Sequence, residues 1–211
     1  MSNKRPYPPK YLTESFYSEF APSPELAEFV QNIFFDEKSK FYNDDHSHLI
    51  TANIGFLWTN IRNERQMKHI AATAQIPNIQ TSKWNKEIFN YQLATWFGRE
   101  KDEELHFLIT IDGNYAENCN DVSFMATLDH ELYHCAQKLD MFGFPAFHRE
   151  TGLPLYAIRD HDVTEFIGVT RRWGAGASLN VQELVEVGSR KPQFTASDIS
   201  LFCGNCMGLR A

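Results

Sequence analysis

Residues 121–140 read DVSFMATLDHELYHCAQKLD, a stretch free of glycine and proline. Val122, Met125, Leu128, Leu132, Cys135, Ala136 and Leu139 recur at helical spacing and make a wide apolar face. Asn120 or Asp121 is placed to cap the first turn. A helix with so broad an apolar face must be buried against another layer, so the rest of the chain has to supply one. The candidates are strand-like. Residues 49–59 (LITANIGFLWT) are apolar and partly β-branched. Residues 105–111 (LHFLITI) form the clearest strand, and Asp112-Gly113-Asn114 marks its end. Residues 69–76 (HIAATAQI) are weaker and stop at Pro77. Residues 81–104, with Trp84, Phe89, Tyr91, Trp96 and Phe97, read as partly buried loop or strand.

Helical signals flank this block. Ser23-Pro24-Glu25 offers a cap, a proline at the first helical position and an acid at the positive dipole end, and Leu26, Phe29, Val30 and Ile33 follow at helical spacing. A third helix is expected over residues 162–172 and a short one over 181–187, while 141–159 reads as loop. The pattern predicts an α+β fold. Residues 1–22, rich in Pro, Ser and Tyr, are expected to be an extended arm, 23–188 the domain, and 189–211 a tail.

Composition narrows the class. Lys and Arg number 20 against 27 Asp and Glu, a net charge of −7, which argues against bulk nucleic-acid binding through a basic surface. No apolar run approaches the ~20 residues of a membrane span. The first residues, MSNKRPYPPKYLTES, contain no apolar signal segment, so a cytoplasmic location is expected. Four cysteines are too few for a disulfide framework.

The chemistry sits inside the best helix, as His130-Glu131-Leu132-Tyr133-His134. Histidines at i and i+4 lie about 40° apart on a helix, one turn up, so their rings converge on one ion. Glu131 stands about 100° round from His130, where it reaches water at the metal without being a ligand. A catalytic zinc needs a third protein ligand and an open position. His161 and Glu165, at i and i+4 of the third helix, are the two candidates. On this reading zinc activates a water and Glu131 acts as general base toward a peptide or protein substrate. Tyr133 points away from the metal. Tyr156 and His148 stand in the loop before His161, but no residue is assigned to an oxyanion. The strand at 105–111 forms or neighbours the cleft edge, where an extended peptide could add.

The order IGFLWTN (54–60), LHFLITID (105–112), LDHELYHC (128–135) and HDVTEFIGVTRRWG (161–174) resembles the phage metallopeptidases, small HExxH proteins of phage and prophage genomes. The likeness spans about residues 48–175. It implies a zincin-like fold, with a small, mostly antiparallel sheet packed on the HExxH helix and a following ligand-bearing helix. It also implies His130, His134 and His161 as zinc ligands, Glu131 as the general base, and the host cytoplasm as the place of action. More distantly the layout is similar to SprT-type proteases, whose third histidine lies in an HGxxF-like segment. Two alternatives stand beside a general peptidase: a zinc-binding phage scaffold or inhibitor that retains the zinc fold without hydrolysis, and, by distant analogy with the SprT-type enzymes, a protease acting on DNA-associated proteins. The acidic balance weighs against the last.

Other signals are weaker. Cys203-Gly204-Asn205-Cys206 is half of a structural zinc site, and Cys119 and Cys135 could in principle complete it. Asp44-Asp45-His46-Ser47-His48 holds ligand-type residues but reads as a solvated turn. His69 and His106 read as strand-edge or satisfied core histidines.

Overall fold

The computed structural model describes residues 4–65, 68–79, 81–98, 104–163, 175 and 179–191. The expected third helix, Glu165 and the CxxC at 203–206 lie outside the described residues. In chain order the structure has α1 (Lys10–Thr13), β1 (Phe20–Pro22), α2 (Pro24–Val30), β2 (Ile54–Thr59), β3 (Asn63–Arg65), β4 (Lys68–Ile70), β5 (Ala72–Gln75), α3 (Lys83–Trp96), β6 (Phe107–Asp112), α4 (Gly113–Asn118), α5 (Asp121–His134), β7 (Cys135–Gln137), β8 (Tyr156–Ile158) and α6 (Leu179–Gly188). A π-helical turn, Gln31–Phe35, continues α2, and a 3-10 turn, Asp44–Leu49, precedes β2.

The fold is α+β around a mixed four-stranded sheet in the order β1-β2-β6-β5. β1 and β5 run antiparallel to their neighbours, whereas β2 and β6 are parallel, from Ile54 opposite Phe107 to Thr59 opposite Asp112. The parallel pair at the centre is where this sheet departs from a mostly antiparallel one. It needs a long crossover, which β3, β4, β5 and α3 supply.

Alternation along the two central strands explains their largely apolar sequences. Phe56, Trp58, Phe107, Ile109 and Ile111 point into the main core with Phe124, Leu128 and Leu132 of α5. Leu57 and Leu108 point the other way, to a second cluster with Leu93 of α3 and the partly buried Phe89, Trp96 and Phe97. Strands covered on both faces lose polar alternation and read as continuous apolar runs. Gly55 is required here, because a Cβ would meet the Phe97 ring at 2.9 Å.

Several expectations are corrected. Residues 83–96 form α3, capped by Ser82, rather than loop or strand; only Leu93 is buried while Trp84, Ile88 and Tyr91 are exposed, so its apolar residues make no clean helical stripe. The strand expected over 49–59 begins only at Ile54, and the run at 69–76 is split at Ala71. The 141–159 region is a hairpin rather than loop, with β7 paired to β8 and isolated bridges at Leu139–Pro145 and Phe147–Pro154. α5 ends at His134 rather than near residue 139, because Cys135 turns extended to join β7 and pair with Ile158. Its buried side carries Phe124, while Val122 and Leu139 are exposed.

The N-terminal segment is tied down. The Arg5 guanidinium is buried over the Phe124 ring, 4.1 Å from its centroid, and donates to the Cys119 carbonyl at 3.0 Å and to the Ala116 carbonyl. Leu12 is fully buried. No described helix is long and apolar enough to cross a membrane.

Candidate metal centre

α5 carries the centre. Asn120 caps it, its side chain accepting from the Ser123 amide at 2.8 Å, and Phe124, Leu128 and Leu132 anchor it against the sheet. His130 and His134 then face a common point one turn apart, their Nε2 atoms 3.2 Å from each other. His161 joins them from the segment after β8, its Nε2 3.3 Å from that of His130. All three offer a ligand atom within 4.8 Å of one another, the one such cluster among the described residues.

The segment bearing His161 is positioned by the hairpin. Arg159 donates its amide to the His134 carbonyl at 2.9 Å, and the His134 ring Nδ1 lies 2.7 Å from the Arg159 carbonyl oxygen. A carbonyl only accepts, so Nδ1 carries a proton, and the His134 Nε2, the nitrogen whose lone pair is exposed when the ring is neutral, faces the other two histidines. Arg159 also pairs with Asp162, and Asn180 of α6 donates to the Asp162 carbonyl at 2.9 Å. Burial, and then the neighbouring His134 and His130, hold the His161 pKa below its usual 6.5. That favours the neutral, ligating form near pH 7.

The donor set fits a tetrahedral ion. Zn–N bonds of 2.0–2.1 Å place two ligand nitrogens about 3.3–3.4 Å apart, close to the 3.2 and 3.3 Å from His130 Nε2 to the other two. Glu131 is fully buried beside this cluster on α5. Burial, and then the charge of Glu131, push the Cys135 thiol well above its usual range, which keeps it a thiol packed in the core rather than a thiolate ligand.

With this geometry in place, the sequence comparison is decisive: residues 18–187 match the family described as "Putative phage metallopeptidase". The chain belongs to the phage metallopeptidase family. No curated protein and no solved structure matches it. The match extends beyond residues 48–175, the span over which the motifs alone carried the resemblance.

Other candidates lie elsewhere. The Tyr156 hydroxyl lies 3.4 Å from that of Thr51, and the Tyr156 ring packs on His106 and Phe107. His148 sits at the hairpin turn, where its Nδ1 accepts from the Thr151 amide. The Tyr133 hydroxyl donates to Asp45 at 2.7 Å, and burial is the main cause that pushes its pKa up to about 12. β6 is an interior strand; it neighbours β5, which is the sheet edge.

Sequence reasoning missed the segment at 43–49. It is packed against α5 instead of being a solvated turn. His46 is 1% exposed, with Nε2 2.7 Å from Asp129 Oδ1, and His48 donates through Nε2 to the Cys135 carbonyl at 2.8 Å. Two histidines in the polar stretch before an apolar strand carry no periodic signal, so only the tertiary contact reveals them.

Proposed function

We propose that this chain works through a zinc ion held by His130, His134 and His161. The observation that carries the reading is the spacing of their Nε2 atoms, 3.2 and 3.3 Å, the separation a tetrahedral zinc imposes. Neutral imidazoles suit several divalent metals, and a three-histidine set with a fourth position for water is a catalytic zinc arrangement. What this supports first is a zinc-binding phage protein, a scaffold or inhibitor included.

Hydrolysis is the finer step of the proposal. Family membership and the place of Glu131 beside His130 support a zincin-like peptidase. Zinc bound there supplies Lewis acidity, acidifying water and polarising a peptide carbonyl. Glu131 takes the proton of the attacking water on its carboxylate and passes it to the leaving amine. His134, locked by Arg159, keeps its Nε2 aimed at the ion. The outer edge of β5 carries no further strand among the described residues, and an extended peptide could pair along it.

The test combines metal analysis with Glu131→Gln. Purified protein should hold one zinc per chain, His130→Ala should lose it, and Glu131→Gln should keep it. With a cleavable substrate in hand, Glu131→Gln should lower kcat by at least 100-fold. Zinc surviving His130→Ala at full stoichiometry would sink the metal assignment. Zinc binding with no peptide cleavage by the wild-type protein, across denatured and native substrates, would leave the non-catalytic reading as the function.

A further inference from the structure

We propose that the 43–49 segment is a clamp on the metal helix, with His46 as a positioning residue that sets metal affinity. This rests on the zinc reading above. His46 packs against α5 at Tyr133. Its Nε2–H donates to Asp129, the residue before the first ligand, at 2.7 Å. Asn43 Nδ2 donates to the same Asp129 oxygen at 3.3 Å and to the Tyr133 hydroxyl at 3.0 Å. Tyr133, the residue before the second ligand, donates to Asp45. At the end of the helix, His48 holds the Cys135 carbonyl directly after that ligand. Each helical ligand is therefore flanked by a residue the clamp grips.

Packing alone does not account for a histidine at position 46. Its ring meets Phe34 and Phe35 edge-on and lies 4.7 Å from the Tyr133 ring, and its Nδ1 is buried with no hydrogen-bond partner among the described residues. A phenylalanine would fill that space without stranding a ring nitrogen. What phenylalanine lacks is the Nε2–H that ties the segment to Asp129. Bonds of this kind fix the rotation and axial position of a ligand-bearing helix, and groups supporting ligands commonly change metal affinity by 10–100-fold.

The experiment measures zinc affinity by chelator competition and records the visible spectrum of the cobalt-substituted protein, for wild type, His46→Phe and His46→Gln. Circular dichroism of each zinc-free form checks the fold. Glutamine places an amide N–H where the histidine Nε2–H stood, so it is the rescuing substitution. His46→Phe should bind zinc about tenfold more weakly with an altered cobalt spectrum, and His46→Gln should recover both. Should His46→Phe not fold, Tyr133→Phe at a half-exposed position removes the hydroxyl bonds to Asp45 and Asn43 and should weaken zinc about threefold. Unchanged affinity and spectrum in the folded variant overturn the clamp, and so does equal loss in the phenylalanine and glutamine variants. A wild-type protein that takes up no zinc overturns the metal reading and the clamp together, so the two failures are told apart by the wild-type measurement.

Discussion

At the scale of single residues, the centre depends on protonation. A nitrogen that binds metal must first shed its proton. The Arg159 carbonyl claims the Nδ1–H of His134 and so leaves Nε2 as its candidate ligand atom, while burial and two neighbouring imidazoles disfavour the charged form of His161. With the native pKa of His161 lowered, the zinc-free native state binds fewer protons there than the unfolded chain just below pH 6.5. Its stabilising contribution is present above that value and is lost as pH falls through the lower native one. Zinc uptake, followed by chelator competition, should weaken as pH falls toward that lower native value, where protons compete for His161; affinity that rises on acidification would contradict this. The two helical histidines were legible in the sequence, because i and i+4 spacing is a local geometry. His161 was legible as one of two candidates, and the structure brings its Nε2 to the other two. The support was not legible: Arg159 acts through its backbone, which no side-chain pattern records, and His46 acts across 83 residues of chain.

At the scale of elements, sequence period predicted what local burial controls and failed where pairing overrides it. α2 begins where Ser23-Pro24-Glu25 says it should, with Ser23 accepting from the Leu26 amide at 3.2 Å. α5 was read too long because Cys135, Ala136 and Leu139 continue the helical spacing, yet hydrogen bonding to β8 draws the chain into a strand. That early stop matters to the site, since it lets Arg159 meet His134. α4 went unread because Asp112-Gly113-Asn114 carries a turn signal, while Asp112 in fact caps a helix, accepting from the Asn114 and Tyr115 amides. Gly113 opens that helix under the N-terminal segment. A Cβ there would stand 2.7 Å from Leu12 and 3.3 Å from the Thr59 carbonyl oxygen. Gly113→Ala should therefore cost roughly 1–3 kcal/mol in urea unfolding, although alanine favours helix. A neutral or stabilising result would mean that Leu12 yields freely.

At the scale of the whole molecule, the sheet works as a platform with α5 on one face and α3 on the other, and the metal helix is held from several directions. Arg5 of the N-terminal segment grips the turn between α4 and α5, the 43–49 segment grips the middle and end, and the β7–β8 hairpin carries the chain from the second ligand to the third. None of the three depends on a disulfide or on net charge, so the −7 balance bears on partners rather than on the site. The low cysteine count gains its meaning here. Cys135 is a core thiol, and the gathered ligand atoms are all imidazole nitrogens. X-ray absorption at the zinc edge tests this most directly. Zinc held by His130, His134 and His161 should show a first shell of nitrogen and oxygen at about 2.0–2.1 Å, with imidazole scattering from three rings and no sulfur. A sulfur shell near 2.3 Å would place the zinc on cysteine and contradict it.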